Sequence, residues 1–191
     1  MARSTSSALK KVLTFKHTLS RRRLLYLLVM LAPLPLIWRF DAKLGITWLS
    51  SGLVLGAYLL YRRKVGQELL IAFLFALFIT SYHPYEYDSL NVLIGKINLF
   101  PLVAWTAGLM VTREVYERLT VRHRWLTASL IYIVVLFGFE FFGYYVFNIR
   151  LDAGGPSLLG LGIIHGPPII HLFYTLAGPI YLAVTDYLNV G

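Results

Sequence analysis

Three ionisable residues stand inside otherwise apolar stretches of the chain: Lys96, Glu140 and His171. Asp88 lies at the border of another such stretch. A carboxyl in a water-poor pocket keeps its proton and can donate it to a carbon–carbon double bond, which makes Glu140 the expected acid. Lys96 or His171 would orient that acid or take a proton back, and Asp88 completes the catalytic set. Trp105, Tyr144 and Tyr174, with Phe137 and Phe141, could stabilise a developing carbocation through their ring faces. Each of these rings is also an ordinary packing or interfacial residue. His165, Trp105, Tyr144 and Tyr174 are the substrate-binding candidates. A Lys96–Glu140 pair that merely neutralises itself is the plain alternative, since breaking a buried ion pair is costly in its own right. His83, His165, His171 and Glu86 offer a metal-binding alternative drawn from different segments. The reading adopted has no metal and no cofactor.

The elements that must position these residues follow from hydropathy. The 191 residues are 58% hydrophobic and 14% charged, with a mean hydropathy of +0.67. Nearly uncharged stretches cover 24–38, 44–61, 69–85, 89–112, 125–149 and 153–185. A hydrocarbon core of about 30 Å takes about 20 apolar helical residues to cross. The expected fold is therefore all-α: a polytopic membrane protein of six transmembrane helices over 23–191, compatible with two diverged three-helix units. Residues 1–22 form a basic cytoplasmic tail or an interfacial helix, whose apolar spacing over 7–20 suits a surface-lying segment. At 1.5 Å per residue, Lys96 lies about 10 Å, Glu140 about 13 Å and His171 about 9 Å below the outer helix ends, a shared depth on three different helices.

Local signals refine this outline. Pro33 and Pro35 interrupt the first segment, and Pro101 is expected to kink the fourth. Gly52 and Gly56 have the spacing of a close helix contact. Gly154-Gly155-Pro156 and His165-Gly166-Pro167-Pro168 divide the last stretch. Residues 157–164 should form a short interfacial or re-entrant piece, with the sixth helix starting near Pro167.

The net charge of +9 is better explained by anionic lipid headgroups than by nucleic acid. The basic residues collect in the N-terminal tail, at Arg62-Arg63-Lys64 and between Arg113 and Arg124. That pattern places both termini on the cytoplasmic side of a cell membrane. The chain has no cysteine, so disulfides, thiolate metal sites and cysteine nucleophiles are excluded.

Thr80-Ser81, Tyr87-Asp88-Ser89, Gly95-Lys96-Ile97, Gly108 and Arg113-Glu114-Val115-Tyr116-Glu117 form one pattern. Glu140, Gly143-Tyr144-Tyr145, Gly160-Leu161-Gly162 and Gly166-Pro167-Pro168 form a second. Together they resemble the integral-membrane lycopene cyclase domain of carotenoid biosynthesis and the related carotenoid hydratases. The Pro-x-Glu-Glu signature of that family is replaced by Val111-Thr112-Arg113-Glu114 and by Pro167-Pro168-Ile169-Ile170. The resemblance implies three-plus-three helices and a polyisoprenoid substrate that is cyclised or hydrated after proton addition. A small transporter or channel using Lys96 and Glu140 is the first alternative. A non-catalytic accessory subunit of a membrane complex is the second, and a homo-oligomer is compatible with each.

Overall fold

The computed structural model describes residues 21–82, 87, 91–150 and 155–190. The expected surface helix over 7–20 lies outside them, as do His83, Glu86 and Asp88. The first apolar segment is two short helices, α1 (Arg21–Leu31) and α2 (Leu34–Phe40). Pro33 and Pro35 supply no N–H, so the helical ladder fails there. The Met30 carbonyl, freed by that break, accepts the indole N–H of Trp48 at 2.9 Å. Asp41 then opens the next helix, its side chain accepting the Lys43 N–H at 2.7 Å in the usual N-cap manner.

α3 is helical over Ala42–Tyr82, 41 residues. Run straight, it would be about 60 Å long. Yet the Lys43 Nζ sits 5.0 Å from the ring centre of Tyr87, just beyond its far end. The five residues from Tyr82 to Tyr87 can cover at most about 18 Å. The helical segment must therefore fold back on itself. The wall of one hollow shows how: Ser51, Leu55 and Tyr58 of the first half share it with Gly66, Leu70 and Phe73 of the second. The two expected segments, 44–61 and 69–85, are thus an antiparallel pair.

Between α3 and the next helix the chain makes a small hairpin, β1 (Leu93–Ile94) and β2 (Ile97–Asn98), paired antiparallel. Gly95, at φ 64°, takes the first central position of its two-residue turn, where a positive φ suits glycine. α4 (Leu99–Arg118) is capped by Asn98, which accepts the Phe100 N–H at 3.1 Å. Pro101 thus falls in the first helical turn. Its missing N–H has no intrahelical partner to lose there, so the expected mid-helix kink does not arise.

α5 (Arg124–Tyr145) and α6 (Pro168–Tyr187) complete the bundle. α6 opens at Pro168, as the proline pair predicts. Residues 155–167 form a compact loop with a 3-10 turn at Leu158–Gly160 and a bridge between Ser157 and His165. Leu158, Ile163 and Ile164 of this loop are buried against Trp105, Tyr132, Tyr144 and Tyr174. The loop therefore plugs one end of the bundle.

Among the described residues, four stretches are long and apolar enough to cross a membrane: Ala42–Leu59, Val65–Tyr82, Arg124–Tyr145 and Pro168–Tyr187. Leu25–Phe40 is apolar but shorter. α4 has the length, but Arg113, Glu114, Glu117 and Arg118 crowd its last turns. Large apolar side chains face outward on these helices, among them Leu53, Phe78, Val134 and Phe139. An outward apolar surface is what helices in lipid require.

The contact between α5 and α6 is closest at Gly178. A Cβ there would lie 2.5 Å from the Tyr132 ring, and the Tyr132 hydroxyl donates to the Tyr174 carbonyl at 2.7 Å. The ring is pinned at its far end and cannot simply swing away. Gly178→Val is expected to lower stability by about 1–3 kcal/mol through overpacking. Unfolding followed by circular dichroism in mild detergent measures it, and a variant as stable as the parent would show that α6 can shift freely.

Candidate functional site

α4 lies between the first half of α3 and α5, and these two outer helices pack little against each other. The result is a groove with α4 as its floor and a cavity volume of about 330 Å³. Ile46, Ser50 and Leu53 form one wall, and Ile131, Val135, Phe139 and Gly143 form the other. Leu53, Val111, Val135 and Phe139 are also exposed on the outer surface. The groove is therefore open sideways, through the apolar flank of the bundle. On α4 the lining runs from Phe100 to Val115, about 22 Å of helix.

Among the described residues Glu140 is the charged one of the lining, and Tyr174 is the polar side chain that interacts with its carboxyl. The helical spacing puts Glu140 on the same face as Tyr144, Leu136 and Tyr132, all of which line the groove. Tyr174 reaches it from α6. It is held there by Trp105, whose ring packs edge-on at 4.9 Å, and by the Tyr132 bond to its own carbonyl. A carboxyl with one oriented hydroxyl partner, facing an apolar channel, can deliver or accept a proton at a hydrocarbon chain.

The structure brings together Glu140, Trp105, Tyr144 and Tyr174 in one lining. His165 stands just behind it: its Nδ1 lies 3.4 Å from the Tyr144 hydroxyl, and its ring packs against that of Tyr144. His171 has a different place. Its Nε2 donates to the Ile164 carbonyl at 2.9 Å, fastening the plug loop to the start of α6, and it is not part of the groove wall. Lys96 is also elsewhere. It occupies the exposed turn of the β1–β2 hairpin rather than a helix, so no ammonium at that position faces Glu140. Asp88 lies outside the described residues. Among the described residues no three His, Asp or Glu side chains gather at metal-binding distance.

Two features escaped the sequence reading. Lys43 is 2% exposed and lies over the ring of Tyr87, a residue of the groove lining. Its signal was present as Asp41-Ala42-Lys43, a capping residue that draws the lysine into the first helical turn. The second is a charged cluster at the opposite end of the bundle. Buried Arg113 binds Asp186 at 2.8 Å, Glu117 at 3.1 Å and the Val190 carbonyl at 2.7 Å. Glu68 lies 3.8 Å away, and the Tyr116 hydroxyl donates to Asp186. These contacts join the second half of α3, α4 and α6. Arg113 was read only as one of the basic residues of the inner side, and its partners Glu68 and Asp186 stand on other helices far along the chain. No protein-family model matches the chain, and no curated protein or solved structure is similar to it.

Proposed function

We propose that the chain is an integral membrane enzyme that crosses the bilayer six times with both termini inside, and that its groove holds a polyisoprenoid or carotenoid-like lipid. The observation that carries this reading is Glu140, beside Tyr174, facing a long side-opening channel of aromatic and aliphatic walls. A substrate dissolved in lipid enters such a channel without crossing water. The split first segment, the paired halves of α3, and α4, α5 and α6 supply six passes, and the positive ends at Arg62-Arg63-Lys64 and Arg113–Arg124 share one side.

The chemistry follows from the groups present. The π electrons of a terminal alkene take the proton of the Glu140 carboxyl, forming a C–H bond and leaving a tertiary cation. Trp105, Tyr144 and Tyr174 offer ring faces to that cation. In cyclisation a second double bond attacks it, and a carbon next to the new cation returns a proton to the Glu140 carboxylate. In hydration, water adds and its proton goes to the same carboxylate. Both routes balance without a cofactor. The resemblance of the sequence pattern to lycopene cyclases supports the same class of substrate.

The test is expression in a host that accumulates acyclic polyenes, with pigments analysed by mass spectrometry. A product isomeric with the substrate, or heavier by one water, is the expected result. Unchanged pigments across several acyclic substrates, at confirmed membrane expression, would remove the proposal.

A further inference from the structure

The residues of α5 that line the groove follow one helical stripe: Ala128, Tyr132, Leu136 and Glu140, flanked by Ile131, Val135 and Phe139. One turn before Ala128 the same stripe continues to Arg124. Arg124 and Glu140 are sixteen residues apart on one helix, about 24 Å. Beyond Glu140 the lining ends within little more than a turn, at Gly143, Tyr144 and Ile149. The acid therefore stands near one end of the channel, and a cation stands at the other.

The two ends differ in how their cations stand to the α5 stripe. Arg124 is exposed, with Arg122 and His123 exposed beside it. Its guanidinium lies 4.5 Å from the Tyr116 ring centre, which orients the plane and leaves N–H groups at its edge. The acidic groups nearby have other partners: Asp186, which also feels Arg124, is held by Arg113 and Tyr116, and Glu114 by Arg118. At the Glu140 end Lys43 is buried over the Tyr87 ring, and exposed Arg150 follows Ile149 beyond the end of α5, off its stripe.

We infer that the groove takes a single-chain amphiphile with an anionic head, seated with its head at Arg124 and the far end of its chain at Glu140. A guanidinium beside an apolar channel binds a phosphate or carboxylate through paired N–H donors. The chain then fills the width between α3 and α5, and proton addition falls on its terminal double bonds rather than near the head. This deepens the proposed function by naming the substrate class, and it rests on the groove being the lipid site.

The full chain in phosphatidylcholine nanodiscs is titrated with geranylgeranyl monophosphate and with geranylgeraniol, following tryptophan emission. Trp105 lines the channel and Trp125 adjoins Arg124, so both report on the seated ligand. The phosphate should bind about tenfold more tightly than the alcohol, as expected for a hydrogen bond to a charged group. Arg124→Gln should bring the phosphate down to the level of the alcohol while the affinity for the alcohol stays put, which certifies the fold. Arg124→Lys should keep part of the preference, and Lys43→Gln all of it. Equal binding of the two ligands by the parent would overturn the inference. So would a preference that survives Arg124→Gln, one that disappears in Lys43→Gln, or displacement by phosphatidylglycerol at equal affinity. Because turnover is not read, a failure of the acid chemistry leaves this result standing.

Discussion

Arg113→Ala is expected to destabilise the protein by about 3 kcal/mol, the lower end of the range for removing one partner of a buried ion pair. The lower end applies because Asp186 and Glu117 are 38% and 42% exposed, so water moderates the carboxylates left behind. Glu68 is not so served, with only 12% of its side chain exposed. The Val190 carbonyl loses its donor as well. Arg113→Lys should recover less than half of the loss, because one ammonium cannot reproduce a fork that serves Asp186, Glu117 and Val190 together. Chemical unfolding in mild detergent reads both variants. A loss below 1 kcal/mol for the alanine variant would mean that the cluster merely decorates a bundle held by its apolar contacts.

The second large effect concerns Glu140. Glu140→Gln keeps the shape and one hydrogen-bonding oxygen but has no acidic proton. Product formation in the polyene-accumulating host should fall by about 10²–10⁴-fold, the usual contribution of a positioned general acid. Tyr174→Phe should fall less, about tenfold, since it removes the polar partner beside the carboxyl and leaves the proton in place. The comparison separates delivery from aim. If Glu140→Gln retained more than a tenth of the parent's product at equal protein level, the proton would have to come from elsewhere.

Much of the architecture was legible because long apolar helices advertise themselves by composition. The stretches 44–61 and 69–85 emerge as the two halves of α3, and the proline pairs mark real boundaries at Pro33 and Pro168. Hydropathy does not separate a short apolar strand from a helical turn, and this is why Lys96 was misplaced. Val92-Leu93-Ile94-Gly95-Lys96-Ile97 is apolar enough to continue a helix, but Gly95 turns the chain into a hairpin. The depth argument for Lys96 fell with that turn. Glu140 and Tyr174 were singled out because an acid in an apolar helix stands out, and because aromatic residues on adjacent helices tend to converge. Their meeting in one lining depends on the rotation of α5 against α6, where Gly178 lets Tyr132 pack closely. Nothing in one linear sequence fixes that rotation. Lys43 and Arg113 were misjudged for a related reason: burial of a charge is decided by which neighbours close over it.

The doubled-back course of α3 has a bearing on how the chain tolerates being divided. Its halves lie side by side along much of their length and share a wall with α4, so lateral contact holds them, not the covalent link at 60–64. A polypeptide opened at that bend would yield two fragments whose complementary sides still fit, the shorter carrying α1, α2 and half of α3. Tyr26 donating to the Gly52 carbonyl would tie that shorter fragment into one unit. The bend is thus a natural place to split the protein into halves that reassemble.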